Sequence, residues 1–163
     1  MANIRHELII GASAEKVYDA ITTQPGLSAW WTPDTTTKAD NILRFPFGPT
    51  YFKEMKVTTL TPFKQIEWIC IAGAQEWIGT TLSFNLVNGN QQTILKAHPE
   101  IQGQLQQNNS DLVTLLRFRH DGWKEETPMH AECNYTWGQF LRSLKLYCET
   151  DVGTPWPYQH RNN

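Results

Sequence analysis

The chain has 163 residues, with 14 Lys and Arg against 16 Asp and Glu for a net charge of −2. A length of this order suits one domain with a sizeable core, and the balanced charge offers no field to hold a phosphate backbone, so no nucleic-acid partner is expected. No run reaches the ~18 apolar residues of a membrane span, and the first ten residues lack a basic region followed by an apolar stretch, so no membrane partner and a cytoplasmic location are expected.

Three cysteines, Cys70, Cys133 and Cys148, lack C-x-x-C spacing and suit reduced, buried thiols. Seven Trp, seven Phe and five Tyr imply either a thick core or the wall of a cavity.

Residues 3–10 read as a strand bounded by Gly11. Ser13 then fits a helix N-cap, Glu15 suits the positive helix start, and Val17, Ala20 and Ile21 form an apolar stripe that Pro25-Gly26 ends. A short second helical turn carries Leu27, Trp30 and Trp31 up to Pro33. Strands follow at about 42–46, 51–60, 64–71 and 80–87, with turns at Gly48-Pro49, Thr61-Pro62 and Gly73, and short connections make them antiparallel neighbours. Alternation puts Ile66, Trp68 and Cys70, then Leu82, Phe84 and Leu86, on the inner surface.

Residues 88–111 are rich in Gln and Asn and admit two readings. They form either a polar insertion or an extended hairpin in which Asn88-Gly89 turns into an extra strand over 92–97, leaving about 100–111 irregular. Strand character returns over 111–120, with Leu116, Phe118 and His120 on one side and Val113, Leu115, Arg117 and Arg119 on the other, closed by Asp121-Gly122. Over 129–150, Cys133, Trp137, Phe140, Leu141, Leu144, Tyr147 and Cys148 recur at helical spacing, which predicts one long amphipathic helix with an extended tail after Gly153. These elements make an α+β fold whose sheet needs that helix to cover its apolar face.

Trp30-Trp31 with Pro33, Glu67-Trp68, Glu76-Trp77-Ile78-Gly79-Thr80, the run from Leu116 to His120-Asp121-Gly122-Trp123, and the helix from Trp137 to Thr150 share order and spacing with a known group. The chain resembles the START-like (SRPBCC, Bet v 1-like) superfamily, in particular bacterial proteins similar to the C-terminal domain of the Hsp90 ATPase activator Aha1. The resemblance covers nearly the whole chain apart from about 88–111. It implies the helix-grip fold, a curved antiparallel sheet of about seven strands wrapped around a long C-terminal helix over a hydrophobic cavity, with residues 1–163 as a single domain. Members bind lipids, polyketides, hormones or other apolar molecules, and some catalyse cyclisation or dehydration.

On that frame the cavity is expected between Trp31, Met55, Trp68, Phe84, Leu116, Phe118 and His120 on one side and Trp137, Leu141 and Leu144 on the helix. The leading expectation is binding of a small hydrophobic ligand. An alternative is a cyclase- or dehydratase-like enzyme, with His120 as general base and Glu54 or Glu67 as its acid partner, because imidazole titrates near neutral pH. A further alternative is an Aha1-like chaperone-interaction module, with a homodimer or a chaperone as partner. Arg44, Glu54, Glu67 and Glu76 lie on or beside strands and are candidates for a ligand's polar end, although charged strand residues usually face water. His130 and Cys133 are the best metal-like pair, but nothing completes a site, and with no nucleophile elbow or phosphate loop neither a metal nor a cofactor is expected.

Overall fold

The computed structural model describes residues 2–105 and 110–161. Residues 106–109 of the Gln- and Asn-rich stretch lie outside the described residues.

Seven antiparallel strands form one curved sheet: β1 (Ala2–Ile10), β2 (Thr36–Lys38), β3 (Ile42–Pro46), β4 (Phe52–Thr61), β5 (Gln65–Ala72), β6 (Thr81–Asn90) and β7 (Leu112–Trp123). Their spatial order is β1-β7-β6-β5-β4-β3-β2, so β2 to β6 follow one another as antiparallel neighbours and the first and last strands, β1 and β7, pair with each other. The helices are α1 (Ala14–Thr22), α2 (Gln24–Trp30), α3 (Gln91–Ala97) and α4 (Pro128–Thr150), with a 3-10 turn over Pro99–Leu105.

Helix α4 buries Cys133, Trp137, Phe140, Leu141, Leu144 and Cys148 of the apolar stripe read from the sequence against the inner face of the sheet, with Tyr147 of that stripe half-buried. Thr127 caps its start, its hydroxyl accepting the His130 amide at 3.1 Å. Helices α1 and α2 cover the rest of that face and meet at Thr23. Pro25-Gly26 does not follow α1 as a breaker; it lies in the first turn of α2, where a missing amide hydrogen costs nothing. The Thr23 hydroxyl donates to the Asp19 carbonyl (2.7 Å) at the end of α1 and accepts the Gly26 amide (3.2 Å) at the start of α2.

The largest departure from expectation lies in 88–105. Asn88-Gly89 is not a hairpin turn: Asn88 pairs with Thr114 and Gly89 with Val113, so β6 runs on to Asn90. The strand expected over 92–97 is helix α3, capped by the Asn90 side chain accepting the Gln92 amide at 2.9 Å. Its Ile94 joins Ile101 and Leu105 over Ile9, Val113 and Leu115, a second small core on the outer face of the sheet. Gln104 then reaches the free edge of β1. Its side-chain oxygen accepts the Ile9 amide (2.9 Å) and its nitrogen donates to the Glu7 carbonyl (3.3 Å), while the Lys145 ammonium donates to the Ile9 carbonyl (2.6 Å).

Because one hydroxyl serves two helix ends, Thr23→Ala is expected to cost about 1–2 kcal/mol, more than an ordinary cap at an exposed helix start. Thr23→Ser should recover most of it, since the hydroxyl returns. Urea unfolding of the three proteins checks both, and equal midpoints for wild type and Thr23→Ala would refute the shared cap.

Candidate functional site

The ten residues expected around a cavity are all buried, and they come together on the inner face. Strand parity carries Met55, Trp68, Phe84, Leu116, Phe118 and His120 inward, α4 supplies Trp137, Leu141 and Leu144, and Trp31 closes α2. Their rings lie against one another. Trp31 meets Trp137 at 5.0 Å between centroids, Trp137 meets Phe118 at 4.5 Å, Phe118 meets Phe84 at 5.3 Å, Phe84 meets Trp68 at 5.2 Å, and Trp68 returns to Trp31 at 6.3 Å. This closed circuit joins sheet, α2 and α4 through ring contacts in the favourable 4.5–7 Å range.

His120 sits at one end of the circuit, fully buried. Its Nδ1 accepts the Trp137 indole N–H at 3.2 Å, so the proton of the neutral ring lies on Nε2, which donates to the Thr80 hydroxyl at 2.8 Å. Thr80 in turn donates to the Trp77 carbonyl at 2.6 Å. Burial, and then the positive charge of Lys53, push the His120 pKa down to about 3. The imidazole therefore has no free lone pair to offer a substrate. Glu54 and Glu67 do not join it: both alternate with the buried residues of β4 and β5. Glu54 is held by Lys38 (2.8 Å) and Arg44 (3.1 Å), and Glu67 accepts a long bond from Gln65 (3.5 Å).

Beyond His120, the turn between β5 and β6 folds Trp77 inward, against His120 (4.5 Å), Trp123 (6.2 Å) and Trp137 (6.2 Å). Its indole N–H donates to Cys133 Sγ at 3.2 Å, the sulfur of the His130 and Cys133 pair. Its neighbours Glu76 and Ile78 face outward into a cleft of about 230 Å³ that Gly122, Trp123, Lys124 and Thr127 also line. Glu76 accepts the Thr127 hydroxyl, tying the turn to the start of α4. Trp123 and His130 pack edge-on at 5.2 Å, and among the described residues neither Trp123 Nε1 nor His130 Nε2 has a hydrogen-bond partner.

The residue missed in the sequence is Lys53. It is 7 % exposed, and its ammonium lies 4.0 Å from the Trp77 ring centroid, 4.4 Å from Phe47 and 4.9 Å from Tyr51. Burial lowers its pKa to about 8, against a smaller raising effect from Cys133 and Cys70. The available signal was parity: once Met55 is placed inward on β4, Lys53 must share its face. Gly73 makes room for it. A Cβ there would stand 2.8 Å from the Phe52 carbonyl oxygen and 3.4 Å from Lys53 Cγ, and the backbone has φ +131.

Away from this end, Glu7, His98 and Glu100 bring three potential metal ligands within 4.8 Å. Arg117 already supplies a cation there, 2.9 Å from Glu7 and 3.5 Å from His98, so the group reads as an ion-pair network on the outer face.

His120 should stay neutral far below its ordinary 6.5. Its imidazole proton shifts, followed by NMR, are expected to be flat from pH 8 to about pH 4.5, a range set by the low folded-state value. A pKa depressed in the fold means the unfolded chain takes the proton first. Stability is therefore complete above 6.5 and falls as pH drops towards 3, by about 1.4 kcal/mol per unit for this one proton. Trp137→Phe leaves Nδ1 buried and unpaired at a cost of about 1–3 kcal/mol, readable by urea unfolding at neutral pH.

The model of the activator of Hsp90 ATPase homolog 1-like protein family matches residues 11–149. The solution structure of the Aha1 dimer from Colwellia psychrerythraea is 34% identical, covers 94% of this chain and 100% of its own, and superposes with a TM-score of 0.72. A protein from Mesorhizobium loti (16% identity, 88% of this chain and 94% of that one, TM-score 0.63) and one from Bacillus halodurans (16%, 91% and 98%, 0.62) share the fold. No curated protein matches the chain. The family model spans most of the sequence and takes in α1, the sheet from β2 to β7 and nearly all of α4. The chain belongs to the activator of Hsp90 ATPase homolog 1-like family.

Proposed function

We propose that the protein is a noncatalytic binding module that takes a small, largely apolar molecule between the sheet and α4, admitted at the end plugged by Trp77. One observation supports this above the others. A single turn forms both the wall of the outer cleft, through Glu76 and Ile78, and the plug of the aromatic interior, through Trp77. Gly73 and Gly79 flank that turn with φ of +131 and +88, values that other residues rarely adopt. An apolar guest would take the place of the indole, with Phe118, Trp137 and Trp31 as the walls behind it. The engaged lone pair of His120, and the placement of Glu54 and Glu67 out of step with the inward-facing residues of their strands, weigh against acid–base chemistry.

Native mass spectrometry of protein purified without denaturation is expected to reveal a co-purifying small molecule. Trp77→Leu, which shortens the plug while keeping it apolar, should bind the neutral dye Nile red several-fold more tightly than wild type. Near-ultraviolet circular dichroism would verify that the variant remains packed. If nothing co-purifies and a folded Trp77→Leu binds no more dye than wild type, the reading fails.

The likeness to the Aha1 dimer along that whole chain favours a second reading, a homodimeric module acting on an Hsp90-type chaperone. Adding the purified protein to such a chaperone would then raise its ATPase rate, and sedimentation would give twice the chain mass. An unchanged rate leaves the small-molecule reading standing alone.

A further inference from the structure

A lysine buried to this depth ordinarily has a carboxylate beside it, because an ion removed from water loses several kcal/mol of hydration. Among the described residues, the Lys53 ammonium has neither an ion pair nor a hydrogen bond. What faces it is three ring surfaces, the thiols of Cys70 on β5 and Cys133 on α4, and His120 on β7. Ring faces compensate a cation only in part. The outer wall of the cage is Tyr51, 38 % exposed, so the cage lies close to the protein surface.

We propose that Lys53 is the recognition point for an anionic ligand, pairing with the carboxylate of an amphipathic monoacid whose apolar body lies along Trp77 and the aromatic interior. The proposal rests on the reading of the Trp77 end as the way in, and adds the chemistry of the ligand's head. A monoanion fits better than a phosphate. Among the described residues the cage presents one cation, Lys53, without an arginine fork, and the start of α4 is already capped by Thr127. The same geometry accounts for a retained charge: the ring faces compensate the cation only in part, and the ligand's carboxylate completes the pair.

The probes are decanoate and decan-1-ol, which share an apolar chain and differ in the head group, titrated calorimetrically at pH 7. Wild type is expected to bind decanoate at least tenfold more tightly than the alcohol, and Lys53→Met should level the two. A second arm needs no variant. Lys53 carries its proton below about 8 and loses it above, so the preference for decanoate should hold at pH 6–7.5 and decline as pH rises past 8, while binding of the alcohol stays flat. Burial pushes Cys70, Cys133 and Tyr51 up and His120 down to about 3, so none of these neighbours changes charge in that window. Equal binding of both probes by wild type overturns the role of Lys53 and leaves the apolar-ligand reading intact. Binding of neither overturns both. A preference that survives in Lys53→Met, or one that does not weaken above pH 8 in wild type, also overturns the assignment.

Discussion

One helix cannot cover seven strands. At ~4.8 Å per strand the sheet is about 30 Å across, whereas a helix with its side chains is about 10–12 Å wide. Everything on the inner face follows from closing that difference. The sheet curves, α1 and α2 pack beside α4, and large rings occupy what remains. Gly26 lets α1 and α2 approach closely, since a Cβ there would lie 2.7 Å from Ala20 Cα. The five-ring circuit through Trp31, Trp68, Phe84, Phe118 and Trp137 then bridges the sheet, α2 and α4, each fully buried side chain contributing about 1.5–3 kcal/mol. The high Trp content of the chain is the compositional trace of this geometry.

Two of the buried titratable groups at the Trp77 end, His120 and Lys53, are treated in opposite ways. His120 is neutral and doubly bonded, a strut on β7 that joins the turn before β6, through Thr80, to α4, through Trp137, and works because it does not ionise. Lys53 keeps a charge that no neighbour neutralises. Each influences the other, since the Lys53 cation is one of the effects that keep a proton off His120. A fold built for stability alone would place a hydrophobic residue at position 53, where Met55 shows that a flexible apolar chain packs well.

Most of the fold was legible in the sequence where periodicity was long and one face was buried: β3 to β7 and α4 stand within a few residues of their expected limits. The three residues of β2, Thr36–Lys38, are exposed and polar, so they carry no alternation to detect. Helix α3 was misread because it buries a single residue, Ile94, and one apolar position has no period. Asn88-Gly89 has turn chemistry, but pairing with Thr114 and Val113 across the sheet overrides it. In the site, parity foresaw that His120 faces inward. Its partners, Thr80 and Trp137, come from other elements 40 and 17 residues away, and only the tertiary fold brings them to it.

Gln104 imitates the backbone. Its amide offers the Ile9 N–H an acceptor and the Glu7 carbonyl a donor, as one residue of an eighth strand would, while Lys145 occupies the Ile9 carbonyl. The β1 edge is thus closed to strand addition over its second half. Two copies of this chain could not fuse their sheets along that stretch without first peeling away the Gln104 amide and the Lys145 ammonium. Along this stretch an assembly is steered towards contacts between faces, where side chains decide the partner.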